Sequence, residues 1–212
     1  MNLESIRREY QFAELSRTSV YKDPLKQLEK WISDALEANA KEATAMSVVN
    51  IGIDGFPQTR IVLLKKTDEN GITFFTHYTS CKGKSIDRNN KVGLHFFWPE
   101  LERQIRIAGY ASKTSAEVSD KYFESRPRAS QIAAIVSKQS QEIPSRESLE
   151  NRYFDVQNKL KDQKTLKRPD SWGGYIVKPV KLEFWQGRES RLHDRIIYEK
   201  IEDQWKIKRL SP

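Results

Sequence analysis

The run LEFWQGRESRLHDR, Leu182 to Arg195, joins an apolar, aromatic stretch to a polar one rich in arginine. Arg191, His193 and Arg195 alternate, so in an extended strand all three would project to one face. Such groups repel one another unless an anion or acceptor neutralises them. With Trp185 nearby, the ligand this chemistry favours is a flat, charged aromatic stacked beneath a guanidinium.

Other runs point to phosphate. In FFTHYTSCKGK the hydroxyls of Thr76, Thr79 and Ser80 precede Lys82 and Lys84 at a strand-to-helix transition, where free backbone N–H groups also favour an anion. Tyr122 and Arg126 are one helical turn apart, and Ser130 falls near the start of the next helix; together they suit a phosphate monoester. Arg60 and Lys65 bracket an apolar strand in QTRIVLLKK, but their spacing puts them on opposite faces unless a bulge intervenes. Each pattern also has an ordinary reading: solvated strand ends, a short basic loop, a surface Tyr-Arg pair.

Several chemistries lack their residues. Neither the glycine fingerprint of a dinucleotide fold nor a P-loop is present, and Gly173-Gly174 reads as a bend before a strand. One cysteine and three scattered histidines offer no metal-ligand spacing, so no metal is expected. Cys81 has no base beside it in sequence, and His95, alternating within an apolar strand, reads as a satisfied core histidine.

The elements that must position these residues follow from periodicity. The first forty residues read as helical, best in DPLKQLEKWISDALEAN, where Asp23 can cap and Pro24 fits the first helical position. From Ala43 the period shortens: TAMSVVNIGIDG, FPQTRIVLLKK and DENGITFFTHY are strand runs separated by Asp-Gly and Asn-Gly turns. A helical insert, KGKSIDRNN, leads to VGLHFFW and ERQIRIAGYASK. Thr114 with Glu117 makes a capping box for a helix ending near Arg126, before Pro127. A second helix restarts in PRASQIAAIVSKQS; Ser145 caps a third, with Leu149, Tyr153, Val156 and Leu160 as its apolar stripe; KDQKTLKRPD is a loop. YIVKPVKLEFWQ, RIIYEK and QWKIKRL close the chain as strands. The expected class is mainly β with helices (α+β): one antiparallel barrel with helical additions, a single domain over 1–212 with a helical N-terminal segment over about 1–40.

With 212 residues, 37% of them hydrophobic and 31% charged, the chain can bury a real core. The net charge of +8 indicates an anionic partner, but the basic residues are dispersed, which favours a phosphate ligand over nucleic acid. No apolar run reaches the roughly 18 residues of a membrane span. The opening MNLESIRREY lacks a leader pattern and the single cysteine fits a reducing compartment, so the cytoplasm is the expected location.

LEFWQGRESRLHDR, RIVLLK, LERQIRIAG, KYFESRPRASQIAAIVSKQS and the ending WKIKRLSP, in this order and spacing, resemble the pyridoxamine/pyridoxine 5′-phosphate oxidase family from about Arg8 onward. The resemblance implies an antiparallel split β-barrel that binds FMN, a homodimer with FMN at the subunit interface, and oxidation of a B6 phosphate to pyridoxal 5′-phosphate with O2 as acceptor and H2O2 as product. Carried over residue by residue, it assigns FMN to Arg60, Ile61, Val62, Leu63, Leu64, Lys65, Phe75, Thr76, Lys82, Gln104, Gln139, Ser140, Trp185 and Arg195. It assigns the substrate phosphate to Lys65, Tyr122, Arg126 and Ser130, and places Arg191 and His193, the catalytic pair, over the pyridine ring. Cys81 departs from the pattern, standing where the family usually has arginine, which implies weakened rather than abolished FMN binding. Two other functions stay open: a split-barrel flavin oxidase of the phenazine-biosynthesis type, and a noncatalytic module binding flavin, pyridoxal phosphate or nucleic acid.

Overall fold

The computed structural model describes residues 9, 10 and 13–212. Its elements are α1 (Pro24–Glu37), β1 (Ala45–Ile51), β2 (Pro57–Leu63), β3 (Lys66–Asp68), β4 (Gly71–His77), α2 (Cys81–Arg88), β5 (Lys91–Trp98), β6 (Arg103–Lys113), α3 (Ala116–Ser125), α4 (Arg128–Val136), α5 (Arg146–Lys159), β7 (Trp172–Gln186), β8 (Asp194–Ile201) and β9 (Gln204–Leu210). All strand pairs are antiparallel.

The strand order β2-β1-β5-β6-β7-β4-β3 has a geometric consequence. Its two ends, β2 and β3, are separated in the chain only by Leu64 and Lys65, so the sheet must curl until its edges approach. The 15-residue β7 is the seam: β6 runs along one side, while β4 takes its first half and β8 its second half on the other. This is the expected split barrel. Turns fall at the Asp-Gly and Asn-Gly signals, where Gly55 has φ +85° and Gly71 φ +133°, conformations that side chains disfavour.

Inward residues alternate along each strand, as on β5, where Val92, Leu94, Phe96 and Trp98 are buried. Leu28, Trp31, Ile32 and Ala35 of α1 join this core, each larger side chain contributing about 1.5–3 kcal/mol by burial. Asp23 caps α1 by accepting from the Leu25 N–H at 2.9 Å. A second cluster, Phe123, Ile132, Ala134, Val136, Leu166 and Trp172, is covered by the α5 stripe of Leu149, Tyr153, Val156 and Leu160. Among the described residues no helix is long and apolar enough to cross a membrane.

Three expectations need correction. The segment 13–22 is irregular rather than helical, and residues 1–8, 11 and 12 of the expected N-terminal helix lie outside the described residues. The cap of α3 is Ser115, which accepts from the Val118 N–H, while Thr114 bonds the Ser119 hydroxyl instead. Ser115 wins because its extended backbone (φ −61°, ψ 158°) aims the hydroxyl at the first free N–H groups. His95 is satisfied but not in the core: it is half-buried on the face opposite Leu94 and Phe96.

Candidate functional site

The largest concentration of expected site residues lines a cavity of about 410 Å³ between the barrel edge and the helical insert. Ile61, Val62 and Leu63 come from β2, Lys65 from the β2–β3 link, Phe75 and Thr76 from β4, Lys82 from α2, and Tyr122 and Arg126 from α3 and its end. Gln139 enters from the loop after α4, with His77, Ala133, Ala134, Ser137 and Trp172 completing the wall.

Among the described residues no carboxylate lines this cavity, although Lys65, Lys82 and Arg126 do. Lys82 is only 8% exposed, and its Nζ donates to neutral oxygens alone: Thr76 Oγ1 at 2.7 Å, Gln139 Oε1 at 2.6 Å and Ser80 Oγ at 3.4 Å. Burial, and then the charge of Arg60, push its pKa down to about 8. Burial likewise lowers the pKa of Arg126, and its Nη1 is buried without a hydrogen-bond partner. Cations withdrawn from water without an anion are costly, and with Lys82 buried and Arg126 half-buried the cavity favours a ligand that brings negative charge. The ring of Tyr122 stacks on Phe75 (centroids 3.9 Å apart, 23° between planes), and Arg126 lies over Trp172 at 4.6 Å, which gives the charged end an aromatic wall.

The sequence folds this way for local reasons. Ser80 caps α2 by accepting from the Gly83 N–H at 3.3 Å, and a Cβ at Gly83 would fall 2.0 Å from the Tyr78 carbonyl oxygen. Only glycine lets the helix start this close to β4, where Lys82 reaches Thr76. Pro127 ends α3, leaving Arg126 at its C-cap one turn after Tyr122.

A second group of expected residues sits at the far end of β7. Gln104, Trp185 and Arg195 are direct partners across β6, β7 and β8, so they share a face. Arg195 Nε donates to Glu183 Oε1 at 2.8 Å, and Trp185 lies against His193 with ring centroids 4.7 Å apart. Tyr10 packs edge-on against both rings at 5.6 Å. His193 Nδ1 accepts the Arg188 N–H at 3.1 Å, which in the neutral ring leaves the proton on Nε2. Burial, then Arg191, lower the His193 pKa, so at neutral pH the ring offers an Nε2–H donor.

The alternating-strand argument for Arg191, His193 and Arg195 fails. Glu189–Arg191 form a 3-10 turn, and β8 begins only at Asp194. Ser190 and Arg191 have φ of 53° and 61°, a left-handed pair that costs of order 1 kcal/mol per residue and directs Arg191 by turn geometry rather than by strand alternation. The remaining expected residues fall outside both groups: Leu64 is in the core, Ser130 and Ser140 do not line the cavity, and Arg60 bonds Asn50 and Gln58 beside it. Nothing in residue spacing marks His77, Ser137 or Trp172 as cavity lining; they arrive there through the β4–β7 register and the turn after α4.

Trp172 of the first group and Trp185 of the second are thirteen residues apart on one strand, roughly 40 Å along an extended chain. One copy of the chain therefore keeps these two groups of residues at opposite ends of β7.

The family described as "Pyridoxamine 5'-phosphate oxidase" matches residues 32–159, and the "Pyridoxine 5'-phosphate oxidase C-terminal dimerisation region" matches residues 172–212. The chain is 48% identical over 212 residues to a pyridoxine/pyridoxamine 5'-phosphate oxidase of Actinobacillus pleuropneumoniae, covering 100% of both chains. It is 49% identical over 209 residues to such an oxidase of Hydrogenovibrio crunogenus, covering 97% of this chain and 96% of that one. PhzG from Burkholderia lata, solved with tetrahydrophenazine-1-carboxylic acid, superposes with a TM-score of 0.87 at 29% identity over 92% of this chain and 95% of that one. An FMN-binding protein of Nostoc punctiforme shares the fold at a TM-score of 0.70 and 16% identity, over 85% of this chain and 95% of that one. Matched over its full length at nearly half identity, the chain belongs to the pyridoxamine 5'-phosphate oxidase family.

Proposed function

We propose that the protein is an FMN-dependent oxidase that converts pyridoxamine 5′-phosphate and pyridoxine 5′-phosphate to pyridoxal 5′-phosphate, with O2 as acceptor and H2O2 as product. Full-length identity of 48% to an oxidase named for these substrates carries the reading, against 29% to PhzG. The whole chain acts as one FMN-binding unit, and two copies combine so that the cavity of one faces the Trp185 end of its partner. The separation of the two half-sites along β7 and the match to the dimerisation region support this arrangement.

The cavity fits a phosphorylated flavin because it pairs underneutralised cations with apolar walls from Ile61, Val62 and Leu63. Lys82, with Thr76, Gln139 and nearby Arg60 and Ser140, would hold the FMN phosphate. Gln104, Trp185 and Arg195 would meet the ring from the partner's side. Lys65, Tyr122 and Arg126, with Ser130 at the helix start, would grip the substrate phosphate. Bound FMN would supply the redox chemistry, that of a hydride acceptor that dioxygen can reoxidise. The chain itself does no redox work. It binds both phosphates, excludes water with its aromatic walls and holds Arg191 and His193 at the reacting substituent, where the His193 Nε2–H can donate to the substrate's oxygen or nitrogen.

Anaerobic addition of either substrate to the FMN-loaded protein is expected to bleach the flavin, with colour restored by air. A flavin that stays yellow with both substrates would overturn the reading.

Two further results are expected of the phosphate cradle. Lys82 titrates near 8 in the empty protein, and the phosphate, already a dianion there, favours the charged ammonium. FMN affinity should therefore hold below pH 8 and fall above it by up to about tenfold per unit, the limit for one linked proton. Fluorescence titration from pH 7 to 9.5 checks this, and a flat affinity would remove Lys82 from the phosphate. Cys81 is exposed at the start of α2, within electrostatic reach of Arg60 and Lys82, and the nearby Lys84 is also exposed. Cys81→Arg should tighten FMN binding by about tenfold or more, the value of a charge-assisted contact. Equal dissociation constants would show that the existing cations already saturate the phosphate.

A further inference from the structure

We propose that His95 is a positioning residue for the flavin, fixing the side-chain amide of Gln104 so that its amino group faces the ring edge. This rests on the reading that Gln104 meets the flavin.

His95 Nε2 lies 2.9 Å from Gln104 Oε1. The two are not register partners: His95 stands opposite Arg106 and Gln104 opposite Phe97, so the contact is a diagonal one across β5 and β6. A carbonyl oxygen at that distance accepts, and the imidazole donates from Nε2–H whether the ring is neutral or charged. With Oε1 occupied, the two N–H groups of Gln104 point away from His95. Arg195, two strands along in the same row, is pinned in the same way by Glu183, itself only 7% exposed and also paired with Arg106 at 3.4 Å. The row thus offers fixed donors at both ends of Trp185.

Flavin ring edges carry carbonyl oxygens and ring nitrogens, and these gain negative charge on reduction. Donors held against them favour the bound ring and favour its reduced form more. An unpinned carboxamide can rotate by half a turn and present its oxygen, which opposes both.

His95→Leu is therefore expected to raise the FMN dissociation constant about three- to tenfold. It should also lower the two-electron potential of the bound flavin by up to about 30 mV, which is a tenfold change in the preference for the reduced form. His95→Gln, which restores an N–H donor, should return both to within about twofold of the starting protein, a rescue that a merely structural role would not give. A second donorless variant, His95→Met, gives the same test should leucine distort the strand. Gln104→Leu separates the possible failures. If it moves neither affinity nor potential, Gln104 does not meet the flavin and both statements fall. If it moves both while His95→Leu and His95→Met move neither, Gln104 keeps its role and the positioning by His95 is wrong.

Discussion

Arg191→Ala lowers the rate of anaerobic flavin reduction by about 10²–10⁴, the usual value of one positioned donor or proton-transfer group, while the FMN dissociation constant stays within about twofold. The dissociation follows from placement: Arg191 is exposed on the turn before β8 and lines none of the cationic cavity that would hold the phosphate. Fold stability should hardly change. Arg191 already occupies a left-handed conformation at φ 61°, so alanine inherits the same backbone cost and no buried contact is lost. Arg191→Lys should recover only part of the rate, because an ammonium on a flexible stem does not reproduce a planar donor fork held by a strained turn. Stopped-flow reduction by pyridoxamine 5′-phosphate is the measurement, and a rate within a factor of about three of the parent would assign Arg191 no part in the reaction.

That the turn rather than a strand delivers Arg191 shows where residue patterns run out. Elements bounded by local chemistry were legible: Asp23 and Ser145 cap the helices they were expected to cap, Pro127 ends α3, and the Asp-Gly and Asn-Gly turns sit between the expected strands. Locally ambiguous positions were not. Thr114 and Ser115 both offer a capping hydroxyl, and only the backbone at Ser115 decides between them. His95 looks like core because its neighbours are apolar, yet strand alternation puts it with Gln104 on the other face. The site is the extreme case. Arg60 and Lys65 resisted assignment to one anion by strand geometry, and the structure shows why: Lys65 leaves β2 and enters the cavity, while Arg60 stays on the strand beside Asn50. Gathering Lys82, Gln139 and Arg126 requires contacts spanning the sheet and two helices, which no local period encodes. Family resemblance supplied those residues as a set, and it could not supply the unpartnered state of Arg126.

That state underlies the second large effect. Arg126→Met should lower kcat/KM for pyridoxine 5′-phosphate by about 10- to 100-fold, since a charge-assisted contact to phosphate is worth about 1.5–3 kcal/mol. The loss should appear mainly in KM, and activity on pyridoxine lacking the phosphate should hardly change, so the variant also loses discrimination between the two. Stability should move the other way or not at all. In the empty protein a buried N–H without a partner costs about 1–3 kcal/mol, whereas the stacking of Arg126 over Trp172 returns about 0.5–2 kcal/mol. Methionine removes the unpaired donors and keeps contact with the indole ring, so the melting temperature of the ligand-free variant should equal or exceed that of the parent. A variant that loses stability and activity together would mark Arg126 as a structural anchor of the α3–α4 corner. Lost phosphate selectivity with an unchanged or raised melting temperature would instead show a half-buried cation kept at a cost to the empty fold for the anion it receives.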